Sequence, residues 1–195
     1  EIVPYIPSFI RAKEKMSGAD RGSAYHKVME LLDFKAIIRT EKTPEGIKAQ
    51  LNRQMDDFVS QGLLEQTWRE GISMAKLYSF FESSLAGRMM QAADAGKLWR
   101  EQPFVLGLAA GRLGEEFPEG EQVLIQGIID VFFEEDGKIV VADYKTDAVS
   151  DPKELIARYQ IQLDYYEEAL ARLTDKKVMQ KIIYSFALGQ EIVLY

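Results

Sequence analysis

Apolar residues recur at helical spacing through the first half of the chain and gather into short unbroken runs through the second. Ala24, Val28, Leu31 and Leu32 form one stripe, which predicts a helix from Ser23 to about Asp33. His26, the only histidine, falls in its first turn, with Glu30 one turn later on the same side. The polar stretch Ser17 to Gly22 before it reads as a turn. Thr43-Pro44-Glu45 opens a second helix with proline at its first position, carrying Ile47, Leu51, Met55, Phe58 and Val59 on one face and ending near Gly62. Residues 66–95 continue as helix with Leu77, Phe80, Phe81, Leu85, Met89 and Met90 as core.

The pattern then changes. Leu98 to Leu106 reads as a strand, with Pro103 placing it at an edge or after a bend. A glycine-rich, charged loop follows from Gly107 to Gly120. Val123 to Thr146 reads as a hairpin, because Asp136-Gly137 separates two β-rich runs and tolerates the positive φ of a tight turn. Asp151-Pro152-Lys153-Glu154 starts a long helix as a capping box, with Tyr159, Gln162, Leu163, Tyr166 and Leu170 at helical spacing to about Arg172. Strands close the chain at Val178–Leu188 and Glu191–Tyr195, joined at Gly189-Gln190. A helical half, three strands, a helix and two strands make an α/β (α+β) protein.

At 195 residues, 47% of them hydrophobic, the chain suits one globular domain spanning 1–195, with residues 1–15 as a lead-in or linker. It begins Glu1-Ile2-Val3-Pro4 without an initiator methionine, which reads as a piece of a longer polypeptide. No apolar run is long enough to cross a membrane, and no signal peptide opens the chain. The absence of cysteine excludes disulfides, thiolate zinc sites and cysteine-ligated iron–sulfur clusters, and fits a cytoplasmic protein. The net charge of −7 is unlike that of a stand-alone nucleic-acid binder. If the chain acts on nucleic acid, affinity must come from bound metal or from other parts of a longer polypeptide.

The hairpin carries the chemistry. Asp130 follows Gly-Ile-Ile, Asp143 follows Val-Val-Ala, and Lys145 lies two residues on, on the same strand face as Asp143. Two carboxylates and an ammonium among Ile, Val and Phe are costly to bury unless they bind something. A divalent cation is the simplest partner for the acids, and a lysine beside it suits metal-assisted phosphodiester cleavage. Taken singly, each feature has a plainer reading. Asp143 and Lys145 could pair at a strand end, Asp130 could be a turn acid, and His26, Gln162 and Tyr166 could be ordinary helix residues.

Together they form an ordered series: Gly22-Ser23-Ala24-Tyr25-His26, Gly127-Ile128-Ile129-Asp130, Asp143-Tyr144-Lys145-Thr146, and Tyr159 to Tyr166 with Gln162 and Tyr166 four apart. This series resembles the Gly-x-x-x-His, Gly-x-x-Asp, Asp-Tyr-Lys-Thr and Gln-x-x-x-Tyr motifs of the RecB-type nucleases, a branch of the PD-(D/E)xK superfamily. Within it, Phe80 to Leu85 and Arg100 to Phe104 are most similar to the nuclease domains of AddA-type helicase–nuclease chains, found at the C-terminus of those chains. The related AddB and Cas4 nucleases carry an iron–sulfur cluster on four cysteines, which this chain lacks.

The resemblance implies a mixed sheet flanked by helices, the restriction-endonuclease-like core. It implies that His26, Asp130, Asp143 and the Tyr144 carbonyl bind Mg²⁺ or Mn²⁺, that Lys145 is catalytic with Asp130 and Asp143, and that Gln162 and Tyr166 contact DNA or position Lys145. Glu30 would reach an outer-shell water. The implied activity is metal-dependent exonuclease cleavage of DNA, chiefly single strands fed by a helicase motor of the same polypeptide. ATP serves that motor alone, and an AddB-type protein is the implied partner in recombinational double-strand break repair. Two other readings are a stand-alone exonuclease of the same fold and a nuclease-like module that binds DNA or a partner without cutting.

Overall fold

The structure is a computed structural model that describes residues 16–41, 43–112 and 121–194. The lead-in assigned to residues 1–15 and most of the loop assigned to Gly107–Gly120 lie outside the described residues. Five strands form one mixed sheet in the order β1-β2-β3-β4-β5: Leu98–Ala109, Gln122–Glu135, Lys138–Lys145, Val178–Ser185 and Gln190–Leu194. Six helices precede it, α1 Gly18–Leu31, α2 Phe34–Ile38, α3 Pro44–Ser60, α4 Gln66–Gly71, α5 Met74–Phe81 and α6 Ser84–Asp94, and α7, Pro152–Thr174, links β3 to β4.

Local chemistry accounts for these limits. β2 and β3 turn through Asp136 and Gly137 at φ 50° and 73°, as the hairpin reading requires. α3 starts on Thr43, whose hydroxyl accepts from Gly46 N–H, and α7 starts on the capping box of Asp151 and Glu154. β3 and β4 run parallel, so they need a crossover connection, which α7 supplies. Pro103 lies on β1, an edge strand, where its missing N–H costs no ladder bond on the open side.

Several elements differ from the sequence reading, and β1 runs on to Ala109 through residues assigned to the loop. The predicted turn at Ser17–Gly22 is the first part of α1, because the Ser17 side chain caps Asp20 N–H; His26 therefore sits mid-helix. α2 was not anticipated; Asp33 caps it by accepting from Lys35 and Ala36 N–H. The single helix over 66–95 is three, because Ser73 and Ser83 each start a new one by capping Lys76 and Ala86 N–H. β4 stops at Ser185, short of the predicted Leu188.

Each sheet face is covered by its own apolar cluster. The six amino-terminal helices pack on Val131, Phe133, Val140, Ala142, Tyr144, Ile182 and Tyr184, whereas α7 packs on Ile129, Phe132, Ile139, Val141 and Ile183. β3 alternates cleanly, which sends Tyr144 toward the helical half and Asp143 and Lys145 toward α7. β2 does not. Ile129 and Phe132, three apart, both face α7, so the strand reverses its alternation at Asp130 and Val131. Opposite that step on β1, Glu101 takes φ 49°, an uncommon conformation for a non-glycine residue.

The helical half meets the sheet through aromatic side chains. Phe80, wholly buried, has Tyr184, Phe81, Tyr144 and Phe34 ring centroids at 4.8, 5.1, 5.8 and 6.5 Å, all near-perpendicular. Phe80→Ala leaves a cavity that these aromatic neighbours cannot fill, and is expected to cost about 3–5 kcal/mol. Urea unfolding checks this; a loss below about 1 kcal/mol would show that the aromatic cluster does not hold the two halves together.

Candidate active site

The β2–β3 ladder runs from Glu135↔Lys138 to Val131↔Ala142 and stops there. One more step would set Asp130 opposite Asp143. The strands part at these two acids, and a carboxylate takes over the ladder's work: Asp130 Oδ2 accepts the Tyr144 N–H at 2.8 Å. Its other oxygen, Oδ1, lies 3.3 Å from His26 Nδ1. α1 thus delivers the histidine to the opening between the strands.

Asp143 is wholly buried. Lys145 Nζ lies 2.7 Å from its Oδ2, yet neither Asp143 oxygen is in hydrogen-bonding alignment with any donor among the described residues. The contact is an ion pair of opposite charges. Burial, then the neighbouring Asp130 charge, push the Asp143 carboxyl up to about 7, although Lys145 and His26 pull the other way. Burial lowers the His26 imidazole, but the hydrogen bond and charge of Asp130 and the charge of Asp143 outweigh it and leave it above its usual value.

Lys145 is held on three sides. Gln162 Oε1 accepts from Nζ at 3.2 Å, Gln162 Nε2 donates to Tyr166 Oη at 2.6 Å, and Tyr166 Oη donates to the Ile128 carbonyl at 2.8 Å. This relay ties the lysine to the β2 backbone two residues before Asp130. On the remaining side Nζ stands 4.0 Å from the Tyr159 ring centroid, and Tyr159 Oη donates to Asp147 Oδ1 at 2.9 Å.

A family model described as the PD-(D/E)XK nuclease superfamily matches residues 5–192. The chain belongs to that superfamily. It is also similar to much longer proteins named as ATP-dependent helicase/nuclease subunits. The one from Lachnoclostridium phytofermentans is 38% identical over 98% of this chain and 16% of the relative. In Clostridium botulinum Alaska E43 and Clostridium acetobutylicum the figures are 36% over 96% and 15%, and 34% over 95% and 15%. The chain spans about a sixth of the length of these relatives.

Within this nuclease domain, His26, Asp130, Asp143, Tyr144, Lys145, Gln162 and Tyr166 converge on the one opening. Tyr144 contributes its backbone there, while its side chain is buried among the aromatics of the helical half. Glu30 is not among the three grouped ligand residues; it pairs with Lys27 and lines the same cavity as His26 and Glu101.

Two residues carry more than the sequence reading assigned them. Glu101, His26 and Asp130 offer ligand atoms within 4.8 Å of one another, the metal-compatible group among the described residues. Burial, then the Asp130 charge, raise the Glu101 carboxyl. The sequence reading gives Glu101 no role within Arg100–Phe104, because its place opposite Asp130 depends on the β1–β2 register. Tyr159 had a legible signal: with Gln162 and Tyr166 it follows i, i+3, i+7 spacing on one face of α7. The donor set of oxygens and one imidazole suits Mg²⁺ or Mn²⁺; Asp143, expected in that set, lies outside the group and faces Lys145 Nζ at 2.7 Å.

The raised Asp143 pKa makes a stability prediction for the metal-free chain. Between the unfolded value near 4 and the folded value of about 7 the native state holds the extra proton, so this group costs stability as pH rises through that window. Asp143→Asn is therefore expected to unfold at a higher temperature than the parent at about pH 8, with the difference shrinking toward about pH 4. A pH-independent difference in thermal melts would contradict the assignment.

Proposed function

We propose that this domain hydrolyses phosphodiester bonds in DNA, chiefly single strands, with a divalent cation held by His26, Asp130, Asp143 and the Tyr144 carbonyl, joined by Glu101. The observation that carries this reading is Asp143: a buried carboxylate with both oxygens free of aligned donors, facing Asp130 across parted strands. Lys145 offsets only part of the cost of burying this carboxylate beside Asp130, and a divalent cation would offset the rest. When bound, Mg²⁺ or Mn²⁺ supplies the charge that polarises a phosphoryl oxygen and acidifies a water.

The chain's own residues do the rest. Lys145 places its ammonium where negative charge develops on the scissile phosphate and orients the attacking water. Gln162 and Tyr166 hold that ammonium in place through the relay to Ile128, and Gln162 has a further face for the DNA backbone. Tyr159 closes the other side of the lysine.

Membership of the nuclease superfamily and the likeness to helicase/nuclease proteins support placing the domain in a longer helicase–nuclease chain. There an ATP-driven motor unwinds a duplex end, and an AddB-type protein completes a cytoplasmic heterodimer in recombinational break repair. The net charge of −7 supports this division of labour, because an acidic domain gains by having DNA delivered to it.

Asp143→Ala and Lys145→Ala are each expected to slow Mg²⁺-dependent cleavage of linear single-stranded DNA by roughly a hundredfold or more, with the fold intact by circular dichroism. His26→Ala is expected to weaken Mn²⁺ binding by about tenfold or more in calorimetry. Cleavage at the parent rate by the Lys145 variant, or unchanged Mn²⁺ affinity without His26, would overturn the respective roles.

A further inference from the structure

Beside the ligand group lies a cavity of about 280 Å³ lined by Ser23, His26, Lys27, Glu30, Trp68 and Glu101. Four of these fall on one face of α1 at i, i+3, i+4 and i+7, Trp68 comes from α4, and Glu101 comes from β1. His26 and Glu101 belong to both the cavity and the ligand group, so whatever occupies the cavity touches the reacting centre.

The lining is wrong for a phosphate. Lys27 is engaged with Glu30 at 2.9 Å and His26 with Asp130 at 3.3 Å, and Glu101 adds a further acid. What it offers is an indole. Trp68 is half-buried, packs against the core and lines the cavity. A flat, uncharged, polarisable group suits that wall.

We infer that this cavity receives a nucleobase of the nucleotide next to the scissile phosphate, stacked on Trp68. The inference rests on the DNA-cleaving reading and deepens it, because it names a selector for single strands. A base in a duplex is stacked and paired, and reaching the cavity requires pulling it out at a cost; a base in a single strand turns in freely.

The chain has two tryptophans, Trp68 and Trp99, so Trp99→Phe leaves Trp68 as its only indole fluorophore. With Lys145→Ala added to prevent cleavage, a fluorescently labelled thymidine oligonucleotide is titrated with Mg²⁺ present. Binding is followed by anisotropy and stacking by Trp68 emission. Saturable quenching with the same midpoint as the anisotropy change is expected, and one abasic position within the oligonucleotide should abolish the quench. Trp68→Ala should weaken single-strand binding about tenfold with Mn²⁺ affinity unchanged, and Trp68→Phe should restore binding to within about twofold. Anisotropy that reports binding while Trp68 emission stays constant would overturn the stacking site and leave the DNA reading standing. Absence of any anisotropy change would overturn the DNA reading and the stacking site with it.

Discussion

Two strands cannot stay paired where each must turn a carboxylate into the same small space. β2 and β3 are zipped as far as Val131↔Ala142, and the next step would bring Asp130 against Asp143. Like charges at that separation in a low-dielectric setting repel strongly. The strands part instead, Asp130 swings to take the Tyr144 N–H, and a gap opens with acids on both sides. The rest of the architecture serves that gap.

The helical half and α7 reach it from opposite faces of the sheet. Tyr144 anchors one face, locked edge-on by Phe80, so the backbone that Asp130 caps cannot shift. The reversed alternation of β2, matched by the positive φ of Glu101 on β1, lets Asp130 meet a histidine from α1 although its neighbour Ile129 packs under α7. From the other face, Gln162, Tyr166 and Tyr159 enclose Lys145. The cost of this polar arrangement shows in Asp143, whose carboxyl burial and the Asp130 charge push up to about 7. The positive φ of Glu101 and the buried carboxylate of Asp143 fall at this same place.

Much of this was legible in the chain because it is written in local chemistry. Asp136-Gly137 specifies its turn, Pro44 and the Asp151–Glu154 box specify helix starts, and acids set within apolar runs mark themselves as misplaced. The ordered motif series then drew together residues as far apart as His26 and Tyr166. What stayed hidden depends on three-dimensional context. Ser17, Ser73 and Ser83 act as caps only once a particular chain path lets their hydroxyls face backbone N–H groups, so their helices began or broke where periodicity alone ran through. Glu101 became a candidate ligand through a strand register, and Trp68 became a cavity wall through the packing of α4 on α1. Neither relation leaves a trace in spacing.

If the parted strands form a divalent-cation site, an anomalous difference map from crystals of the chain grown with Mn²⁺ reveals it most directly. A peak is expected within about 2.0–2.3 Å of ligand atoms of His26, Asp130 and Asp143. Manganese bound elsewhere on the surface, with none between Asp130 and Asp143, would contradict it.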